Sequence, residues 1–172
     1  MPLTLEQKVE LLWDKLAVSE LMHAFGRALD LHDWVLYERC LCAELEVDFK
    51  RLTGFEPVHT TAADWTAFAA NALGKLTVHH QYSNHSIRVK GDEAVGITYM
   101  VARHYRSEDT GWNTQYGWYE NVFARDDGEF GWKIRRLKHD FQWTSGVPDL
   151  IDLGDPLSQA ALERVFLQAV QR

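Results

Sequence analysis

Cysteine is scarce in this chain: two residues in 172, Cys40 and Cys42, two positions apart. That spacing offers no disulfide framework and too few thiolates for a structural zinc site, so a reducing, cytoplasmic setting is expected. Basic residues are outnumbered, 18 Lys and Arg against 25 Asp and Glu, for a net charge of −7, and they form no cluster. Phosphate backbones are held by concentrated positive charge, so nucleic acid is not an expected partner. The apolar runs fall far short of the roughly 20 residues that span a bilayer. The opening "MPLTLEQKVELLWDKL" is acidic and amphipathic, without the basic-then-apolar order of a signal peptide, so no membrane partner is expected either. Repeats, low-complexity tracts and Pro/Gly/Ser linkers are also missing. What remains is an ordinary globular composition, 46% hydrophobic and 12% aromatic. It predicts one domain over residues 1–172, with a core at about 5–145 and a C-terminal extension at about 146–172.

The first half has helical spacing. Val9, Leu12, Leu16, Met22, Phe25 and Leu29 predict a helix from about Leu5 to Leu29. Asp33 is placed to cap a second helix running through about Cys42. "ELEVDFKRL" alternates as a short strand, and a third helix from about Ala62 to Leu73 stops at Gly74. The period then changes to two. Long strands are predicted at about Val78–Lys90, Ala94–Ser107, Thr114–Arg125 and Trp132–Trp143, joined by Gly- and Asp-rich turns that make antiparallel neighbours. A last amphipathic helix, about Pro156–Gln171, carries Leu157, Ala161, Leu162, Val165, Phe166 and Val170 on its apolar side. Helices followed by a long meander mean an α+β fold: a cone of strongly curved, mostly antiparallel sheet around the N-terminal helices, with a mouth able to hold a ligand.

The stretch "TVHHQYSNHSIRV" lines a strand with imidazoles where apolar side chains would pack better. By parity His80, Tyr82 and Asn84 share one face, and His79, Gln81 and Ser83 the other. Ile87 and Val89 fall on the second parity, so a bulge leaves open whether His79 or His80 faces inward. A hairpin with the next strand could bring His80 and His104 onto one wall, and Asp30, just past the first helix, could reach the mouth of the cone. A carboxylate that accepts a hydrogen bond from one imidazole fixes its tautomer and favours its charged form, the usual arrangement of a general base. The plainer readings are a structural strand histidine and a solvated acid after a helix. His23, His32, His59 and His139 have no spacing partner and read as surface or core. His79 and His80 point to opposite faces and cannot share one metal. Asp30, His80 and His104 are the one set a metal could use, and no metal or cofactor is expected.

"ALDLHDW", "EVDF", "HHQYSN" and "GWKIRRLKHDFQW", in this order, resemble the SnoaL-like branch of the nuclear transport factor two-like superfamily, and within it the scytalone dehydratase-like lyases and the hexachlorocyclohexane dehydrochlorinase group. The resemblance implies proton abstraction by an Asp–His pair in an elimination, with the family Asp on Asp30, the catalytic His on His80 (from Asn84 four residues later) and the second dehydratase His on His104. It also implies departures. Two pocket tyrosines of the dehydratase fall on Leu29 and Phe49, and its pocket Ser and Asn on Gly117 and Tyr119. Phe25, Leu29, Phe49, Asn84, Trp118 and Tyr119 are the expected substrate-binding residues. The expected function is a cofactor-independent, dehydratase-like lyase. It would remove a proton next to a carbonyl of a small hydrophobic, cyclic molecule. The alternatives are a ketosteroid-type isomerase and a non-catalytic binding or assembly subunit like the small subunit of ring-hydroxylating oxygenases. A homo-oligomer, dimer or trimer, is expected.

Overall fold

Thr4 starts the first helix by taking the backbone N–H of Gln7, whose side chain returns the bond to the N–H of Thr4. In the computed structural model, which describes residues 2–148, 150, 151, 154 and 156–167, this helix, α1, runs Leu5–Leu31 and ends where His32 turns left-handed at φ 54°. Only its second half enters the core. Val18, Leu21, Met22, Ala24, Phe25, Ala28 and Leu29 are buried, whereas Val9, Leu12 and Leu16, expected on the same apolar face, are exposed because the helix overshoots the sheet. Asp33 caps α2, Trp34–Arg39, through the Leu36 N–H at 2.9 Å. The helix stops short of the expected Cys42 because the chain is already pairing: the Cys40 carbonyl accepts from Ile134, and β1, Leu41–Asp48, begins.

After β1, Phe49 leads into a single turn, α3 (Lys50–Thr53), where the sequence pattern predicted more strand. Then come β2 (Val58–Thr61), too short and polar to announce itself, and α4 (Ala62–Leu73). The long strands are β3 (Thr77–Lys90), β4 (Glu93–Ser107), β5 (Gly111–Arg125) and β6 (Trp132–Gly146), within a few residues of their predicted bounds. They form the expected antiparallel meander in a curved six-stranded sheet of order β2-β1-β6-β5-β4-β3, with β1 parallel to β6 and every other pair antiparallel.

Bulges set which side chains face inward. In β3 the register shifts between Ser83 and Ser86, with Asn84 at φ 52°, so Val78, His80 and Tyr82 share the inner face with Ile87 and Val89 beyond the bulge. His80 is the inward histidine, and His79 is exposed. In β6 an irregularity opposite Val122 and Phe123 puts Trp132, Ile134, Leu137 and His139 on one face.

The C-terminal segment closes the structure. α5 (Pro156–Leu162) packs on α4, and the chain widens into a π-helical turn, Glu163–Leu167. Ala161, Val165 and Phe166 are buried as expected, but Leu157 is exposed. Val170 and the rest of the predicted helix lie outside the described residues. Among the described residues no helix is long and apolar enough to cross a membrane.

Candidate active site

Asp30 is the penultimate residue of α1, at the end that points toward β3. Its Oδ1 stands 2.8 Å from Nδ1 of His80, and both carboxylate oxygens accept the backbone N–H of His80, at 2.9 and 3.1 Å. A carboxylate only accepts, so Nδ1 carries a proton, and Nε2 is the nitrogen left to exchange one. The His80 side chain is 5% exposed and lines a cavity of about 440 Å³, and Asp30 supports it from behind.

His104, on β4, faces the same cavity, its ring centroid 6.1 Å from that of His80 and perpendicular to it. Its Nδ1 meets Oδ1 of Asn113 at 2.9 Å. The Asn113 amide nitrogen donates to the Val147 carbonyl at 3.2 Å, and the Val147 N–H donates back to Trp112. Because that carbonyl can only accept, the amide is oriented with its oxygen toward His104, so Nδ1 is again the protonated nitrogen. Burial pushes the His104 imidazole down to about 4, so it is neutral near pH 7.

Three of the expected substrate-binding residues line the cavity: Leu29, Phe49 and Tyr119. The other three do not. Phe25 is core, behind the wall, stacked on Tyr37 at 4.8 Å. Asn84 is consumed by the bulge and exposed. Trp118 lies on the outer face of the sheet beside Tyr99 and donates to Glu120, because odd-numbered β5 residues point inward here. Gly117 is inward, but a side chain there would meet the Asp140 carbonyl at 2.5 Å.

Sequence reasoning missed several members of the site. Tyr37 lines the cavity and accepts from the Trp65 indole at 2.8 Å. Tyr82, already expected on the face of His80, does not itself line the cavity but packs edge-on against Tyr119 at 5.8 Å. Burial raises all three phenols well above their ordinary range, so they are donors. Asn113 was hidden because it fell in a predicted turn. His139 was hidden because the irregularity in β6 breaks the parity that would have aligned it with Trp132 and Ile134. It is 3% exposed, lines the cavity, and is held neutral by burial at about 4.

The rest of the wall is mostly apolar, with Leu52, Phe55, Trp65, Phe68, Met100 and Phe141 joined by Leu150, Ile151 and Leu162 from the C-terminal segment, while Thr53, Gln115 and Thr144 add uncharged polar groups. No Lys, Arg, Asp or Glu among the described residues lines it. The cavity therefore suits an uncharged, largely apolar molecule with a few polar groups directed at the imidazoles and phenols.

A SnoaL-like domain model matches residues 10–138. No curated protein matches the sequence. Among solved structures, similar chains include an aromatic ring hydroxylase candidate from Novosphingobium aromaticivorans DSM, 26% identical over 79% of this chain and 94% of that one, TM-score 0.68. A scytalone dehydratase candidate from N. aromaticivorans DSM 12444 is 20% identical over 81% of this chain and 92% of its own, TM-score 0.65. The hexachlorocyclohexane dehydrochlorinase LinA-type3 from Novosphingobium barchaimii LL02 is 14% identical over 86% and 99%, TM-score 0.66. At such identities the last two show a shared fold.

Proposed function

We propose a reaction on one premise: this chain belongs to the SnoaL-like family. The reading is a dehydratase-type lyase that removes a proton next to a carbonyl of a small, uncharged, cyclic β-hydroxy ketone. The observation that carries it is the 2.8 Å contact between Asp30 and His80 at the wall of an apolar cavity, with a second neutral imidazole 6.1 Å away. Names among the structural neighbours, scytalone dehydratase and dehydrochlorinase, lend support because both describe eliminations.

In this reading Nε2 of His80 takes the α-proton, and Asp30 stabilises the imidazolium through Nδ1–H. Electrons from the C–H bond move onto the carbonyl oxygen, where the Tyr119 hydroxyl donates to the enolate. His104 is neutral with Nε2 as an acceptor, so it orients the substrate hydroxyl by accepting its O–H. When the enolate collapses, the C–O bond breaks, and the proton on His80 leaves with the hydroxyl oxygen as water. An α-proton and a hydroxyl on the same ring face are what two neighbouring imidazoles suit.

A ring-hydroxylase assembly role is the second reading, favoured by the 26% identity to the ring hydroxylase candidate. It gives no account of a carboxylate-backed histidine facing a largely apolar cavity.

The test uses 1-tetralone and 3-hydroxy-1-tetralone: α-deuterium exchange by NMR on the first, and release of 1-naphthol from the second. Wild type is expected to accelerate both, and His80→Ala to lose about 10²–10⁴-fold. Equal background rates for the two proteins across a wider panel of cyclic ketones would refute the reading.

A further inference from the structure

We propose that His139 is a specificity residue of this cavity, receiving a hydroxyl group of the ligand that lies away from the carbons that react. The inference rests on reading the cavity as the substrate site and does not depend on which reaction follows.

The three cavity imidazoles differ in one respect. His80 is anchored by Asp30 and His104 by Asn113. His139 is anchored by nothing: both ring nitrogens are buried, and neither has a hydrogen-bond partner among the described residues. Its ring sits among Phe49 at 5.2 Å, Tyr119 at 5.3 Å and Phe141 at 6.3 Å between centroids. A phenylalanine would suit such surroundings and leave no polar atom unsatisfied. Folded interiors pair nearly all their buried polar groups, so an orphaned imidazole in a cavity wall marks a group whose partner arrives with the ligand.

The chemistry of that partner follows from the ring. A neutral imidazole presents one N–H donor and one lone pair. A hydroxyl also has one donor and accepting lone pairs, so the two can pair in either direction. Burial keeps His139 uncharged near neutral pH, which removes the ion-pair attraction a carboxylate or phosphate would need. Tyr119 lies against His139 on one side and Tyr82 on the other. A ligand whose carbonyl sits at the Tyr119 hydroxyl therefore lies beside His139 as well, in a cavity that His80 and His104 also line. A cavity of about 440 Å³ accommodates a molecule of bicyclic size spanning these points.

The test measures binding by titration calorimetry with 2-naphthol and 2,6-dihydroxynaphthalene, which differ by one hydroxyl. Wild type is expected to bind the diol about tenfold more tightly, the usual worth of one good hydrogen bond. His139→Phe should erase that preference and melt no earlier. His139→Gln, which keeps a donor and an acceptor, should recover part of the preference. Three results would overturn the proposal: no binding of either compound, equal wild-type affinity for both, or a preference that survives in His139→Phe. A lower melting temperature together with a parallel loss of both affinities would also overturn it, since that is a structural role. Turnover is scored separately. If the whole panel of cyclic ketones is untouched but the diol preference still tracks His139, the reaction falls and the specificity residue stands. Turnover without that preference keeps the reaction and removes the specificity residue.

Discussion

One carboxylate holds both the main chain and the ring of His80, so Asp30 sets the position of the imidazole and its tautomer together. Asp30→Asn tests the second function. Its amide has one acceptor oxygen to share between two N–H groups, and its NH₂ favours the ring turned to the other tautomer, with N–H toward the cavity. A fall of about 10²–10⁴-fold in kcat with little change in KM is expected, with the change of tautomer visible in imidazole ¹⁵N shifts. An unchanged kcat would leave Asp30 as a structural cap. His104 and His139 govern a different property. Both titrate at about 4 in the fold against 6.5 for a free imidazole, because burial penalises their charge. Between pH 6.5 and 4 the unfolded chain binds protons that these rings refuse, so stability falls as the pH falls. The cost is on the order of 3 kcal/mol for each ring by pH 4. Urea unfolding at pH 7.5 and 5 should show the decline, with a shallower one in His139→Phe. Equal pH slopes in the two proteins would contradict this.

Elements were legible where a pattern repeated, and lost where one residue broke it. The four strands of the meander and the cap at Asp33 follow from alternation and residue chemistry visible in the chain itself. The inward face of β3 could not be read that way, because the left-handed Asn84 reverses parity between Tyr82 and Ile87. The same kind of break in β6 concealed His139, and assigning Trp118 to the pocket failed on parity in β5. The helix α1 misled for another reason: Val9, Leu12 and Leu16 continue the apolar spacing of Met22 and Phe25, but the described residues leave them exposed. Where α1 does meet β3, Gly26 sits under the Tyr82 ring. An added Cβ would stand 2.8 Å from the Tyr82 ring carbon Cε2, and that ring is packed against the core. Gly26→Ala gains about 1 kcal/mol in helix propensity and loses about 1–3 kcal/mol to overpacking. A net loss in urea unfolding is expected, and a variant more stable than wild type would show that the ring yields freely.

At the scale of the molecule, two apolar surfaces have no cover among the described residues. The outer face of the sheet shows Tyr99, Tyr105, Trp112 and Trp143, and the overshooting half of α1 shows Leu5, Val9, Leu12, Trp13 and Leu16, all exposed. Patches of this kind mark association sites, and we propose that copies of the chain assemble through them. Sedimentation velocity should return a mass that is a multiple of 19.9 kDa, and a monomer at micromolar concentration would count against it. The bond from Asn113 to Val147 adds a consequence for how the cavity is used. Val147 is where the chain leaves β6 on its way to Leu150 and Ile151, which line the cavity. The amide that fixes the tautomer of His104 is therefore tied to the same strand exit that supplies two cavity side chains, so the path of the chain there and the proton arrangement of the second imidazole depend on one bond.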